Sequence, residues 1–226
     1  MTIPTALNVD STSRTTYRNR AGAALLILGT VQFFVMHFIV KAAWTEPRYS
    51  WWSNYISDLG AVHCAPVLGN DVCSPLHVGM NAAFALQGIL LLLGTALTAR
   101  AWARSARPGA WQVMVAVTGL SWVVIGAIPE DVNLTGHSIG ALPIFVIGNI
   151  ALIIAGASKS TRSRPATRKA ALALGIIGLL GFGLTAIAIA DPAGAIGIGI
   201  AERVTVFPLQ AWAVVAGISI LRRPNS

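Results

Sequence analysis

The residues best suited to acid–base chemistry lie close to the ends of long apolar segments. They are the carboxyl groups of Asp58, Glu130 and Glu202 and the imidazole of His137. A carboxyl group in an apolar wall holds its proton more tightly than in water, so it can act as a general acid, and an imidazole can act as the base. We therefore predict that these four residues form the catalytic group of an active site.

A metal site is an alternative use of the same region. His77, His137 and Asp58 would supply the nitrogen and oxygen ligands that zinc accepts. The sequence contains no HExxH, CxxC or nucleophile-elbow motif. It therefore predicts no definite cofactor, and a divalent metal remains an open alternative.

Further polar residues accompany these groups, and we expect them in one shared pocket: Asn54, Ser57, Asn81 and Arg203. Charged groups near the hydrocarbon are costly unless they face the bundle interior, a partner or water. Helix caps and loop charges are the competing explanation, which suits Ser57 and Glu202 at helix starts. A carboxylate is unfavourable at the carboxyl end of a helix, where Glu130 is expected.

The elements that must position these residues are membrane-spanning helices. The chain is 55% hydrophobic and 11% charged, whereas soluble domains carry about 25% charged residues. A span needs about 20 apolar residues. Six segments qualify, which predicts an all-α, polytopic helical bundle: 21–43, 77–100, 110–128, 138–157, 170–190 and 203–221.

The distribution of basic residues predicts the orientation. Thirteen of the 16 Lys and Arg residues fall on one side of this arrangement, and only Lys41, Arg48 and Arg203 fall on the other. Basic loops stay in the cytoplasm, so both termini are predicted inside. The net charge of +8 is thereby explained without nucleic-acid binding. Seven of the eight acidic residues lie on the predicted outer side.

This arrangement divides the chain into three parts. Residues 1–20 form a basic cytoplasmic tail, 21–221 a single six-helix domain with an outer loop at 44–76, and 222–226 a cytoplasmic C-terminus. Cleavage of the first span as a signal peptide near Ala42 or Ala43 would leave five spans. Its apolar run is longer than the 7–15 residues usual in signal peptides.

The outer loop contains both cysteines and many aromatic residues. Cys64 and Cys73 are predicted to form a disulfide, since a close pair outside the cytoplasm usually oxidises. A metal pair with His63 and His77 is the alternative. The aromatic residues indicate an anchor at the headgroup level or, alternatively, a lipid-binding groove: Trp44, Tyr49, Trp51, Trp52 and Tyr55.

Proline and glycine residues within the spans indicate where helices bend and pack. Pro143 and Pro208 each lie six residues after a polar group, His137 and Glu202, and bends there would widen an outer cavity. Glycines in the fifth span favour close helix packing over a hinge: Gly175, Gly178, Gly181 and Gly183.

Several short motifs resemble those of one known family. YSWWSNYISDLG at 49–60, NAAF at 81–84, IPE at 128–130, His137 with Gly140-Ala141, and Glu202-Arg203 are similar to segments of the membrane proteins grouped as domain of unknown function 998. The resemblance covers about 20–221. It implies a multi-span helical protein of a prokaryotic plasma membrane and supplies no catalytic role.

Three functions are compatible with these patterns. The first is an enzyme that acts on a lipid or isoprenoid at the outer leaflet. The second is a transporter of a small or amphipathic molecule, and the third is an accessory subunit of a membrane complex. Membrane lipids are the expected partners in each case, with a homo-oligomer or a membrane-protein partner as further alternatives.

Overall fold

The computed structural model describes residues 6–102, 109–158 and 162–223 and is almost entirely helical within them. Parts of the predicted tails and the basic residues Arg104, Arg107 and Lys159 lie outside these ranges. The helices are α1 (Ala6–Ala43), α2 (His77–Trp102), α3 (Ala110–Ala127), α4 (Leu134–Phe145), α5 (Ile147–Ala157), α6 (Pro165–Ala190) and α7 (Ile198–Leu221).

The six predicted spans are confirmed. Six helical segments in the described residues are long and apolar enough to cross a membrane, with α4 and α5 together forming the fourth. The helices that carry the last three predicted spans begin at Leu134, Pro165 and Ile198, four or five residues before the predicted span starts at 138, 170 and 203. The prediction treated the polar residues near these positions as boundaries. Several of them lie inside a helix, and His137, Glu202 and Arg203 are buried in the bundle.

The helices pack mainly against their sequence neighbours, and α7 also closes against α1. Aromatic side chains fill the centre of the bundle, where the Phe33 ring lies 5.2 Å from that of Trp122 and 6.2 Å from that of Phe84. Glycines allow close contact elsewhere: a Cβ on Gly88 would collide with the Gly119 carbonyl oxygen. We call the end of the bundle that carries residues 44–76 the loop end.

The fourth span is broken in two. Pro143 lies in the last turn of α4, which ends at Phe145, and α5 begins at Ile147. Proline removes a backbone N–H and bends a helix. Beyond the break α5 packs closely on α6, whereas α4 touches α6 at few positions. The break therefore leaves a cleft between α4 and α6 at the loop end. Helix α7 runs unbroken through Pro208.

The loop of residues 44–76 folds over the loop end. It contains a 3-10 turn at Ser57–Gly60 and a hairpin of two antiparallel strands, β1 (Ala65–Val67) and β2 (Asn70–Val72), with Pro66 opposite Asp71. The predicted disulfide between Cys64 and Cys73 is confirmed and closes this hairpin. Gly69, with a φ of 86°, allows the tight turn between the strands.

The aromatic residues of this loop have separate roles. Trp44 and Tyr49 are buried, so an anchor exposed to lipid headgroups is wrong for these two. The Trp51 ring stacks on the His37 imidazole at 5.0 Å and packs against the Arg203 guanidinium at 4.7 Å. The Trp52 side chain is exposed, and its backbone carbonyl accepts a hydrogen bond from the Gly199 N–H. The loop is therefore fastened to the start of α7.

Candidate functional site

A cavity of about 400 Å³ lies at the loop end between α4 and α6. Its polar end is formed by Tyr55, Ser57, Glu130, His137, Ser138, Thr185 and Glu202, and its apolar wall by Leu134, Ala141, Leu142, Phe145, Phe182, Ala186 and Ile189. Leu68, from the turn of the hairpin, completes the lining. The volume is within the range of about 300–1,000 Å³ that ligand pockets occupy.

The cavity opens sideways between the two helices. Leu142 on α4 and Ile189 on α6 both line it, yet they remain 53% and 59% exposed. The rings of Phe145 and Phe182 meet at 6.3 Å near the deepest part of the lining. Leu142 and Ile189 both belong to helical segments that are long and apolar enough to cross a membrane, so the opening lies on the apolar side of the bundle.

Glu130 forms a carboxyl pair with Asp58. Both side chains are buried, and each carboxyl group acts on the pKa of the other. Asp58 Oδ1 and Glu130 Oε1 receive no hydrogen bond from a donor among the described residues. Two carboxylates cannot donate to one another, so a hydrogen bond between them requires one proton shared by the pair. Carboxyl groups at such close range do not both ionise.

The surroundings indicate which member holds the proton. Burial raises the pKa of Glu130 well above its usual range, and the hydrogen bond to Asp58 raises it further. Burial also raises the pKa of Asp58, but hydrogen bonds from Glu130 and from Asn54 oppose this rise. Glu130 is therefore the protonated member and Asp58 the carboxylate.

Three donors hold the Asp58 carboxylate in place. Its Oδ2 accepts from Asn54 Nδ2 at 2.7 Å, from the Tyr55 backbone N–H at 3.0 Å and from Asn70 Nδ2 at 3.2 Å. Asp58 does not line the cavity, so it acts through Glu130. Sequence reasoning missed Asn70, which the hairpin brings to the site. No short motif around Asn70 signals that contact.

The connection between α3 and α4 positions Glu130. Asp131 Oδ2 accepts from the backbone N–H groups of Val62 at 3.0 Å and His63 at 2.8 Å, and it contacts the His63 ring at 2.8 Å. Burial raises the pKa of Asp131, but these hydrogen bonds outweigh it and keep the pKa below its usual range. The connection is thus tied to the loop of residues 44–76, which keeps Glu130 at the cavity.

His137 presents one nitrogen lone pair to the cavity. Its Nδ1 lies 2.7 Å from the Ile128 carbonyl oxygen. A carbonyl only accepts, so Nδ1 carries the hydrogen and Nε2 has the lone pair of a neutral imidazole. The Asn133 side chain caps α4 by accepting from the Gly136 N–H at 2.8 Å. His137 is therefore fixed in the first turn of α4.

Glu202 and Arg203 lie side by side in α7 but have different roles. Glu202 lines the cavity and accepts a hydrogen bond from the Ile56 backbone N–H. Since α7 begins at Ile198 and Glu202 is buried, helix capping does not explain this residue. The Arg203 guanidinium donates to the Trp51, Asn54 and Gly199 carbonyls and to the Tyr49 hydroxyl. Arg203 holds the loop and does not line the cavity.

Two other predicted pocket residues also form hydrogen bonds with the backbone. Asn54 Oδ1 accepts from the Ser50 N–H at 2.9 Å, and Asn81 Nδ2 donates to the Gly60 carbonyl at 2.8 Å. A Cβ on Gly60 would collide with Asn81 Oδ1, so this approach requires glycine. Of the four predicted pocket residues, Ser57 alone lines the cavity.

The proposed metal ligands are not brought together. His77 Nδ1 lies 3.0 Å from the Ser74 carbonyl oxygen, and His77 does not line the cavity with His137. In the part of the chain that the structure describes, no group of three or more His, Cys, Asp or Glu side chains is arranged to hold a metal ion.

A second, water-sized cavity of about 20 Å³ adjoins the polar end. Ser57, His137 and Glu202 line both cavities, whereas Val206 and Trp122 line only the small one. A buried water needs about 10–15 Å³ and two to four polar partners. The small cavity meets both requirements beside the cavity that takes the larger ligand.

Comparison with protein-family models identifies the chain. The model described as "Protein of unknown function (DUF998)" matches residues 27–219. The chain belongs to the DUF998 family. This confirms the resemblance found in the sequence motifs, and the six apolar helices make the chain an integral, multi-pass membrane protein. No curated protein and no solved structure matches the chain significantly.

Proposed function

We propose that this DUF998 protein is a membrane-embedded enzyme that performs acid–base chemistry on the polar end of a lipid or isoprenoid. The main support is the position of Glu130, paired with Asp58, at the polar end of a cavity whose apolar wall opens between α4 and α6. A proton held on a buried carboxyl group is a form suited to general acid catalysis.

The residues around the pair suggest separate roles. Glu130 donates the proton, and Asp58 accepts the hydrogen bond that keeps Glu130 in position. His137 Nε2 is the available base, because its Nδ1 hydrogen is committed to Ile128. Glu202, fixed by the Ile56 N–H, orients the reacting group from the opposite helix.

The water-sized cavity favours a hydrolytic reaction. A water between Ser57, His137 and Glu202 would lie next to a substrate in the large cavity. In such a step His137 takes a proton from the water, the water oxygen forms a bond to the substrate, and Glu130 protonates the leaving oxygen as its bond breaks. Atoms and charge then balance without a further reactant.

The test is turnover of membrane lipids in H₂¹⁸O by protein reconstituted in nanodiscs. The product of the wild-type protein should carry ¹⁸O, and Glu130→Gln should lose about 10²–10⁴-fold in rate, the usual contribution of a general acid. Asp191→Asn is the matched control, since Asp191 is exposed at the same end and does not line the cavity. Equal turnover by wild type and Glu130→Gln would reject the enzyme proposal.

A lipid transporter is the second candidate, favoured by the break after Pro143 and the sideways opening. Broken helices are typical of transporter binding sites. Transfer of a fluorescent lipid between vesicle leaflets decides between the two. Transfer without chemical change, abolished by Ala186→Leu in the cavity wall, would support the transporter over the enzyme.

A further inference from the structure

The polar end of the cavity is rich in hydrogen-bond acceptors, and some of its donors are already used. The His137 Nδ1 hydrogen goes to the Ile128 carbonyl. The Thr185 hydroxyl is 3.0 Å from both the Gly181 carbonyl oxygen and Thr205 Oγ1. His137 Nε2 and the carboxyl oxygens of Glu130 and Glu202 remain to receive a ligand. The lining hydroxyls of Tyr55, Ser57 and Ser138 can donate or accept, but no Lys or Arg donor of the lining meets an incoming acceptor.

Arg203, the cation next to Glu202 in α7, is committed to the loop of residues 44–76. Arg203 Nη1 lies 2.6 Å from the Gly199 carbonyl oxygen and 3.0 Å from that of Asn54, and its Nη2 bonds to the Tyr49 hydroxyl. Its guanidinium also packs on the Trp51 ring. The described lining contains no Lys or Arg side chain. An anionic headgroup would therefore meet carboxyl groups without a balancing cation.

We propose, on the basis of the function above, that the cavity selects amphiphiles whose polar end donates hydrogen bonds, a hydroxyl or an amine, and rejects phosphate. A hydroxyl or amine hydrogen reaches His137 Nε2 and the carboxyl oxygens directly. A phosphate monoester carries about −1.5 to −2 charge and only accepts when ionised. It would place that charge beside Glu130 and Glu202.

The apolar wall fixes where the rest of the ligand lies. From Leu134 to Phe145 the α4 wall is roughly 16 Å long, at 1.5 Å per residue. Leu142 and Ile189 border the opening and are themselves largely exposed. The ligand chain therefore runs along α4 and α6 and leaves through the opening, while its polar end contacts the carboxyl groups.

The experiment compares three ligands that share one chain: hexadecanol, hexadecylamine and hexadecyl phosphate. Binding to the purified full-length protein is measured by native mass spectrometry. We expect the alcohol and the amine to bind at least tenfold more tightly than the phosphate. Ala186→Leu, which fills part of the wall, should weaken binding of both by at least tenfold, and Asp191→Asn should leave it unchanged.

The outcomes separate this inference from the proposed function. Phosphate binding as tight as alcohol binding, and weakened by Ala186→Leu, overturns the headgroup selection but leaves the cavity a lipid site. Absence of binding by all three ligands overturns both. If Glu202→Gln loses amine binding but retains alcohol binding, the inference is supported and the amine is the hydrogen-bond donor that the cavity prefers.

Discussion

The two halves of the α6 helix differ in how they meet the fourth span. In the half away from the loop end, α6 packs tightly on α5: a Cβ on Gly178 would collide with Asn149 Oδ1, and one on Gly175 would lie 2.7 Å from the Asn149 carbonyl oxygen. In the half at the loop end, Phe182, Ala186 and Ile189 face α4 across the cavity. The fourth span and α6 are therefore in close contact in one half, which we call the closed half, and separated by the cavity in the other, which we call the open half.

The difference has two local causes. Glycines remove the side chains that would keep α5 and α6 apart. Asn149, which lies against these glycines, also donates to the Phe145 carbonyl at 2.8 Å and to the Thr205 carbonyl of α7 at 3.0 Å. The break after Pro143 turns α4 away, so the same two spans separate. A rigid base thus supports a cleft, which allows catalytic groups to be held firmly beside a lipid-accessible space.

Gly175→Val should disrupt the packing of α6 on α5 in the closed half and have the largest effect on stability. The added side chain would collide with the Asn149 backbone, and overpacking typically costs about 1–3 kcal/mol or more. We expect a clear fall in Tm, measured by thermal unfolding in detergent. Gly183→Ala is the control, since a Cβ there meets nothing within 4 Å. An equal fall in both variants would show that close packing is not the cause.

The variants Asp58→Asn and Glu130→Gln should differ in stability and so distinguish the two members of the carboxyl pair in the open half. The amide in Asp58→Asn offers an NH₂ group and one neutral acceptor oxygen to three donors, so we expect a loss of about 1–3 kcal/mol in the free energy of unfolding. The amide in Glu130→Gln still donates to Asp58, so its loss should stay below about 1 kcal/mol, measured by chemical denaturation. Equal losses would argue against a proton located on Glu130.

The same pair predicts how stability depends on pH. Its pKa values are raised, so the folded protein retains a proton that the unfolded chain releases above about pH 4.3, the usual pKa of Glu. Stability is then lost as the pH rises, by up to about 1.4 kcal/mol per pH unit, until the folded pKa is passed. Tm measured from pH 5 to 9 should fall less in Glu130→Gln. Parallel curves for wild type and variant would contradict the shared proton.

Pro143→Ala should reduce the difference between the two halves. The alanine N–H can bond to the Ile139 carbonyl and straighten α4, which would narrow the cleft. We expect stability to change by less than about 1 kcal/mol, the usual net value of one hydrogen bond, while hexadecanol binding weakens several-fold. Native mass spectrometry with hexadecanol measures this. Unchanged binding would mean that the cleft does not depend on the proline.

The sequence predicted the spans better than the site. Long apolar runs identify membrane helices because the bilayer sets their length. The helices α4, α6 and α7 begin four or five residues before the predicted spans. At α4 and α7 this is because polar residues such as His137 and Glu202 are tolerated inside a span when they face the bundle. At α6 the helix extends through its exposed Lys169.

The site was predictable only in part. Glu130, His137, Glu202 and Ser57 stand near helix ends, so their common level follows from span positions. The contacts of Asn70 and Leu68 depend on how the hairpin folds over the bundle. The hydrogen bonds of the Arg203 guanidinium depend on where the loop places its backbone carbonyls. Such long-range contacts leave no local pattern in the chain.

Photolabelling of α4 and α6 tests most directly whether lipid enters the open half alone. The reagent is hexadecanol with a diazirine in its chain, and mass spectrometry maps the labelled residues. We predict label at Leu142 and Ile189 that excess hexadecanol removes, and no such competition at Ile176 and Ile177, although each of these is 46% exposed on the closed half. Labelling that is uniform along α6 and not displaced by hexadecanol would contradict the account.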